Sequence, residues 1–287
     1  MIPAAVGFLG LGSIGLPMAQ NIAKQGMSVL AYDIGDPVRW ALPPLERASS
    51  IADVAGASEF LLLSLPDGTA VRTALREILA TAHPRVHTVI DLSTIGVKAA
   101  REFDATCVAA GIAYVDAPVS GGVAGARERK LSLMAACPEP VFAAVRPILD
   151  TFAGRVFHVG EHPGQGQALK LLNNFLSANA LAATSEAVRF GLANGLQMST
   201  ILDVVKVSSG RNSAVEDKFV NHVAKGRYDS GFRNTLMAKD LDLYLKETLE
   251  SKCTGRIGEL IAGIWAEFSN AMPGADFTAI YEFVRNG

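Results

Sequence analysis

The feature that most constrains this chain is a glycine pattern. Residues 6–15 read VGFLGLGSIG, so Gly10, Gly12 and Gly15 form G-x-G-x-x-G. The pattern directly follows an apolar run, AAVGFLG, and opens a segment of helical periodicity. A strand that turns tightly into a helix uses each glycine differently. The first permits the turn, the second lets the backbone approach a pyrophosphate, and the third lets helix and strand pack closely. The pyrophosphate would rest at the positive end of the helix dipole. A second apolar run, SVLAYD, ends in Asp33, 23 residues after Gly10. That is close to the spacing of a carboxylate that binds an adenosine ribose diol. Glycine-rich turns are common alone; the order strand, glycines, helix, strand, acid is not. Gly10, Leu11, Gly12, Ser13, Ile14, Gly15 and Asp33 are therefore expected to bind a dinucleotide. A carboxylate accepts a 2′-hydroxyl and repels a 2′-phosphate, and Ile34 and Gly35 rather than an arginine follow it, which favours NAD. Arg39 is near enough in sequence to leave NADP open. No G-x-x-x-x-G-K-[ST] occurs, which removes the P-loop alternative.

The pattern continues along the first half. Apolar runs EFLLLSLP, HTVIDLS, IAYVDAP, LSLMAA and RVFHVG alternate with segments of helical length, among them 15–26, 68–81 and 96–110. Runs apolar on both faces, alternating with helices, predict an α/β domain with a mostly parallel sheet. After Gly166 only helices are expected, over 167–194, 198–207, 213–225, 234–251 and 254–270. The boundary is expected in EHPGQGQ, giving a dinucleotide-binding domain over 1–163 and an all-helical domain over 164–287. A chain of 287 residues is long for one core, which agrees with two domains.

Composition removes several classes of function. The formal charge is −2, from 26 basic and 28 acidic residues, and no basic stripe suggests nucleic acid. No apolar run is long enough to cross a bilayer. The five histidines lack metal-ligand spacing, so no metal is expected. Cys107, Cys137 and Cys253 are odd in number and far apart, as expected of reduced packing residues in a cytoplasmic protein.

Two further stretches carry chemistry. GQGQALKLLNN, residues 164–174, places Lys170, Asn173 and Asn174 at i, i+3 and i+4 on one helical face. Ser177 extends this polar stripe on an otherwise apolar helix, as on a buried helix bordering a cleft. Taken alone, Lys170 reads better as a lysine snorkelling to solvent from an ordinary amphipathic helix. DAPVSGG, residues 116–122, follows a strand. The N–H groups of Ser120, Gly121 and Gly122 can cradle a carboxylate, although Gly-Gly also marks plain loops.

Four blocks in order, GFLGLGSIGLPMAQNI, YVDAPVSGGVAGA, GQGQALKLLNN and FRNTLMAKDLDL, resemble the β-hydroxyacid dehydrogenases. This family includes 3-hydroxyisobutyrate dehydrogenase and tartronate semialdehyde reductase. The resemblance covers nearly the whole chain. It implies a Rossmann-type domain, a long interdomain helix, an all-α second domain and assembly as a homodimer or homotetramer. It implies hydride transfer between a nicotinamide cofactor and a short β-hydroxy acid, a small carboxylate. Lys170 matches the acid/base of the family and Asn174 the residue that helps place the substrate. Such a lysine works near neutral pH only if its pKa falls from about 10.4 through burial or nearby positive charge. Ser120, Gly121 and Gly122 match the substrate-binding block. Leu65 and Pro66 match cofactor contacts, and Thr94 is placed to bond the nicotinamide ribose or the substrate. Gly96 stands where the family commonly has proline, an exchange expected to loosen that turn without abolishing the site. Lys239 is implied to reach the cofactor with Phe232 closing over it, although Lys239 and Asp240 also read as a solvated helix face. Arg211 fits a second carboxylate or phosphate, or a plain loop. Relatives that reduce imines replace the lysine, 6-phosphogluconate dehydrogenases are longer and have His where Asn173 stands, and non-catalytic scaffolds of this fold tend to lose the lysine.

Overall fold

The computed structural model describes residues 5–35, 44–253 and 255–286. The chain divides into two compact units, residues 1–170 and 171–287. In the first, β1 (Ala5–Leu9), α1 (Gly15–Lys24), β2 (Ser28–Tyr32), β3 (Leu45–Arg47), α2 (Ile51–Ala57), β4 (Phe60–Leu63), α3 (Gly68–Ala80), β5 (Thr88–Asp91), α4 (Val97–Ala109) and β6 (Ala113–Asp116) alternate. Then come β7 (Val119–Ser120), α5 (Gly122–Arg127), β8 (Leu131–Ala136), α6 (Glu139–Leu149) and β9 (Ala153–Gly160). The strand order is β3-β2-β1-β4-β5-β6-β8-β7, with β9 on β8. Every pairing is parallel except those of β6 and β7 with β8. The expected Rossmann-type unit is present. β3 and β7 escape a periodicity reading because they span three and two residues.

The two-residue period of the strands splits the core. Val6, Phe8, Leu62, Ile90 and Val115 face one layer, with Met18 and Ile22 of α1 and Val145, Ile148 and Leu149 of α6. Leu9, Leu61, Leu63, Val89 and Tyr114 face the other, with Val71, Leu75 and Ile78 of α3 and Phe103 and Cys107 of α4. Each fully buried aliphatic side chain contributes about 1.5–3 kcal/mol. Cys107 and Cys137 are packing residues, and burial pushes both thiols up to about 12. Cys253 is exposed, against the packing role expected of it.

The second unit is helical. The long helix α7 (Gln165–Ala193) begins in the first unit and continues into it, followed by α8 (Met198–Lys206), α9 (Asn234–Glu250), α10 (Arg256–Ala271) and α11 (Ile280–Asn286). Its core gathers Leu181, Val188, Phe219, Met237, Phe268 and the fully buried Trp265. The helix expected over 213–225 is present but irregular, a π-helical stretch, Ala214–Phe219, followed by a 3-10 turn, Val223–Lys225. The Asn212 side chain accepts the first two N–H groups, from Ala214 and Val215, and left-handed Gly226 ends the segment. Among the described residues no helix is long and apolar enough to cross a membrane.

The glycine loop is held by backbone crowding. Gly10 has φ +92°, and a Cβ there would lie 2.3 Å from Ser64 O. A Cβ on Gly15 would lie 2.0 Å from Gly10 O, so strand end and helix start are in direct contact. At Gly12 a Cβ would meet no protein atom within 4 Å. Gly15→Ala is therefore expected to cost about 1–3 kcal/mol through overpacking, or roughly 2–4 °C of melting temperature per kcal/mol. Gly12→Ala should stay within about 0.5 kcal/mol of the parent. Thermal unfolding of the two ligand-free variants checks the contrast; equal losses would contradict it.

Candidate active site

The dinucleotide loop, Leu65, Pro66, Thr94 and the Ser120–Gly122 turn follow the carboxyl ends of β1, β4, β5 and β7, and Asp33 follows β2. Chain order reverses direction between β1 and β4, the point at which open parallel sheets bind ligands. Successive loops are stitched together. Gly10 N–H donates to Tyr32 O (3.0 Å), and Leu11 N–H to Asp33 Oδ2 (2.6 Å). Ser64 N–H donates to Leu9 O (2.8 Å), and Leu65 N–H to Ser93 Oγ (2.9 Å). Gly35 N–H holds the other Asp33 oxygen at 2.6 Å. A carboxylate has about four acceptor positions, so Asp33 retains capacity for a ribose diol. Arg39 lies outside the described residues.

These features fit a dinucleotide. α1 has no side-chain cap, and N–H groups at its start are available to an anion. Gly12 forms the cradle that a Cβ would fill, since protein packing does not itself require glycine there. Asn21, beyond the loop, is structural: its amide donates to Ala126 O of α5 at 2.7 Å. Among the described residues no group of three or more His, Cys, Asp or Glu comes together for a metal.

The start of α7 is anchored by a buried network. Asp116, fully buried at the end of β6, accepts N–H from Gly164 (2.8 Å) and Gln167 (3.0 Å) on Oδ2. Its Oδ1 accepts Gln167 Nε2–H at 2.7 Å. Gly166 is required beside it, because a Cβ would lie 2.6 Å from Met134 O. Burial raises Asp116 to about 6 against the pull of these bonds. Asp91, in register with it on β5, is likewise raised to about 6 by burial, and accepts Ser93 N–H and Tyr114 O–H. Lys170 lies one turn after Gln167 and is buried at 8% exposure.

Ser120 of β7 pairs with Ser132 of β8, and Gly121 turns the chain at φ +134° into α5. Within the second unit, buried Asn174 donates to Asp240 Oδ2 (2.6 Å) and accepts from Asn173 (3.2 Å). Lys239 Nζ lies 3.0 Å from Asp240 Oδ1. Asp240 is 3% exposed, so it is not part of a solvated face. Phe232 packs edge-on to Phe277 at 5.5 Å. Arg211 is largely exposed, 3.4 Å from Glu216.

One expectation needs correction. Gly96 does not leave its turn loose: with φ +92°, its N–H donates to Gln167 Oε1. On α7 the expected polar stripe is buried, and further along the helix buries Leu171, Ala178 and Leu181. Gln167, Lys170 and Asn174 face inward while Leu169, Leu172 and Leu176 are exposed. The polar side can be buried because Asp116 and Asp240 satisfy its amides. Sequence reasoning did not single out Ser93, Gln167 or Asp116. Their only signal was a strand-end acid in YVDAP and a second glutamine in GQGQ.

The chain matches two family descriptions. Residues 5–160 match the NAD binding domain of 6-phosphogluconate dehydrogenase. Residues 164–284 match the NAD-binding domain of NADP-dependent 3-hydroxyisobutyrate dehydrogenase. The chain is 33% identical to 3-hydroxyisobutyrate dehydrogenase of Pseudomonas aeruginosa, covering 98% of both chains. It is 33% identical to 2-(hydroxymethyl)glutarate dehydrogenase of Eubacterium barkeri, over 84% of this chain and 81% of that one. The structure of Mycobacterium tuberculosis 3-hydroxyisobutyrate dehydrogenase with L-serine superposes with a TM-score of 0.90 at 31% identity, covering 98% of this chain and 99% of that one. A glycine loop with its acid, an anchored helix bearing a buried lysine, and relatives one-third identical across nearly the full length lead to one conclusion: the chain belongs to the NAD(P)-dependent β-hydroxyacid dehydrogenase family.

Proposed function

We propose that the protein oxidises a short β-hydroxy carboxylate reversibly, with Lys170 as general acid/base. The observation that carries this reading is the burial of Lys170 on a helix whose first turn is bonded to the loop after β5 and to the end of β6. The nicotinamide supplies the acceptor, or in reverse the donor, of the hydride. As the hydroxyl carbon loses its hydride, Lys170 Nζ takes the hydroxyl proton; in reduction it returns it. The Ser120 hydroxyl and the N–H groups of Gly121 and Gly122 hold the carboxylate. Thr94 and Asn174 orient the hydroxyl end, and Leu65, Pro66, Phe232 and Lys239 contact the dinucleotide. Candidate substrates are 3-hydroxyisobutyrate, the substrate in the names of two relatives above, and glycerate, the reduced partner of tartronate semialdehyde. The retained lysine weighs against imine reduction and against a non-catalytic scaffold. A cytoplasmic setting is proposed on composition.

Asp33 supports NAD over NADP. Two backbone N–H groups fix its carboxylate where a 2′-phosphate would meet like charge. The proposed macromolecular partner is a second copy of this chain. Leu169, Leu172 and Leu176 recur at i, i+3 and i+7 on α7, with Phe190 further along at 73% exposure. Such an apolar stripe is costly to leave in water.

Lys170→Ala should lower kcat by about 10²–10⁴-fold, the usual share of acid–base catalysis, while NADH binding followed by fluorescence changes little. A panel of 3-hydroxyisobutyrate, glycerate, threonate, serine and 4-hydroxybutyrate, read at the NADH absorbance, provides the assay; wild-type turnover in the variant would remove Lys170 from the mechanism. Asp33→Asn should raise the NADP-to-NAD ratio of kcat/KM by about tenfold or more, since like-charge contacts cost several kcal/mol. An unchanged ratio would show that Asp33 does not set the preference. Light scattering should give a dimer or larger for the parent and a smaller mass for Leu172→Asp/Leu176→Asp. A monomeric parent would remove the proposed interface.

A further inference from the structure

Gln167 is fully buried, and its amide uses all its hydrogen-bonding capacity. Oε1 accepts Ile95 N–H (2.8 Å) and Gly96 N–H (3.2 Å). Nε2 donates to Ser93 O (3.0 Å) and Asp116 Oδ1 (2.7 Å). Two obligate acceptors lie on one side and two donors on the other, so the orientation of the amide is fixed by its partners. The three backbone groups it grips, from Ser93, Ile95 and Gly96, bracket Thr94. Lys170 lies three residues further along α7, a rise of about 4.5 Å. One side chain thus joins the turn that carries Thr94 to the helix that carries Lys170.

Gly96 makes this grip more complete. A proline at that position has no N–H to offer and cannot take φ +92°. The glycine of this chain gives the amide oxygen its second donor.

We infer that Gln167, oriented by Asp116, is a positioning residue that sets the distance between Thr94 and the Lys170 amine. This rests on the acid/base reading of Lys170. Replacing the amide with an apolar side chain leaves Asp116 Oδ1, Ser93 O and two N–H groups without their present partner. The turn and the helix are then free to shift, and misplacement by about 1 Å can cost roughly 10²-fold in rate.

The test compares five variants under saturating NAD⁺, with 3-hydroxyisobutyrate or whichever acid of the panel is turned over fastest. Gln167→Leu should lower kcat by about 10–100-fold with KM for NAD⁺ little changed. The isotope effect on kcat with substrate deuterated at the hydroxyl carbon should rise, because the chemical step becomes slower. Gln167→Glu should be as poor, since it sets two carboxylates against each other. Gln167→Glu/Asp116→Asn exchanges donor and acceptor across the same contact and should recover part of kcat. Ile148→Ala, remote in α6, is a control for lost stability and should keep its kcat below its melting temperature. Wild-type kcat in Gln167→Leu, an equal loss in Ile148→Ala, or a double variant no better than Gln167→Glu would each overturn the inference. Lys170→Ala separates the two levels. If it retains turnover, the parent reading fails; if it loses turnover while Gln167→Leu does not, only the positioning role fails.

Discussion

The buried carboxylate of Asp116 is the interaction on which the junction of sheet and long helix depends. A helix leaves four N–H groups without partners at its start, and a 29-residue helix such as α7 carries the positive end of its dipole there. Asp116 meets those groups from the end of a central strand, accepting from Gly164 and Gln167. The bond therefore joins sheet to helix and fixes where the first turn begins. It also has a cost, because burial raises the carboxyl to about 6. Between the ordinary carboxyl range and that value the native state binds the proton more readily than the unfolded chain. The contribution of Asp116 to stability accordingly falls as pH rises through roughly 4 to 6. Asp91 beside it has the same sign and is raised further by the Asp116 charge. At neutral pH the chain holds two neighbouring buried carboxylates against desolvation, each offset by hydrogen bonds aimed at it. Removing one partner would leave a charge without compensation, a costly change in any core.

How much of this was legible follows from what each signal is made of. The sheet was, because Val6 and Phe8 on one layer and Leu9 on the other obey a two-residue period that needs no tertiary knowledge. The glycine loop was, because Gly15 answers to the backbone of Gly10, five residues before it in the same motif. The network around Gln167 was not. Its partners lie 51 and 72 residues away at Asp116 and Ile95, and no local period links them. The burial of Asp240 was hidden for the same reason: its carboxylate meets Asn174, 66 residues upstream. Gly96 was misjudged from sequence alone. Its freedom suggested a loose turn, whereas the turn uses the one N–H that proline lacks.

The inward face of α7 brings these points together. Gln167, Lys170 and Asn174 follow one another along it, and each amide is fixed by a buried carboxylate, Asp116 in the first unit and Asp240 in the second. An amide alone can rotate by half a turn and exchange donor for acceptor at little cost. A carboxylate accepts only, so it commits the amide nitrogen toward itself and the amide oxygen elsewhere. Oxygen is thereby turned toward Ile95 and Gly96 at one end of the stripe, and toward the Asn173 side chain at the other. The amine between them is carried on a helix whose flanking polar groups each have one orientation. Under the acid/base role proposed for Lys170, buried acids that look expensive by desolvation would supply what proton transfer requires, a set of polar atoms that does not reorganise when charge moves. A core of apolar residues on that face would be cheaper to bury and would leave the lysine with no fixed surroundings.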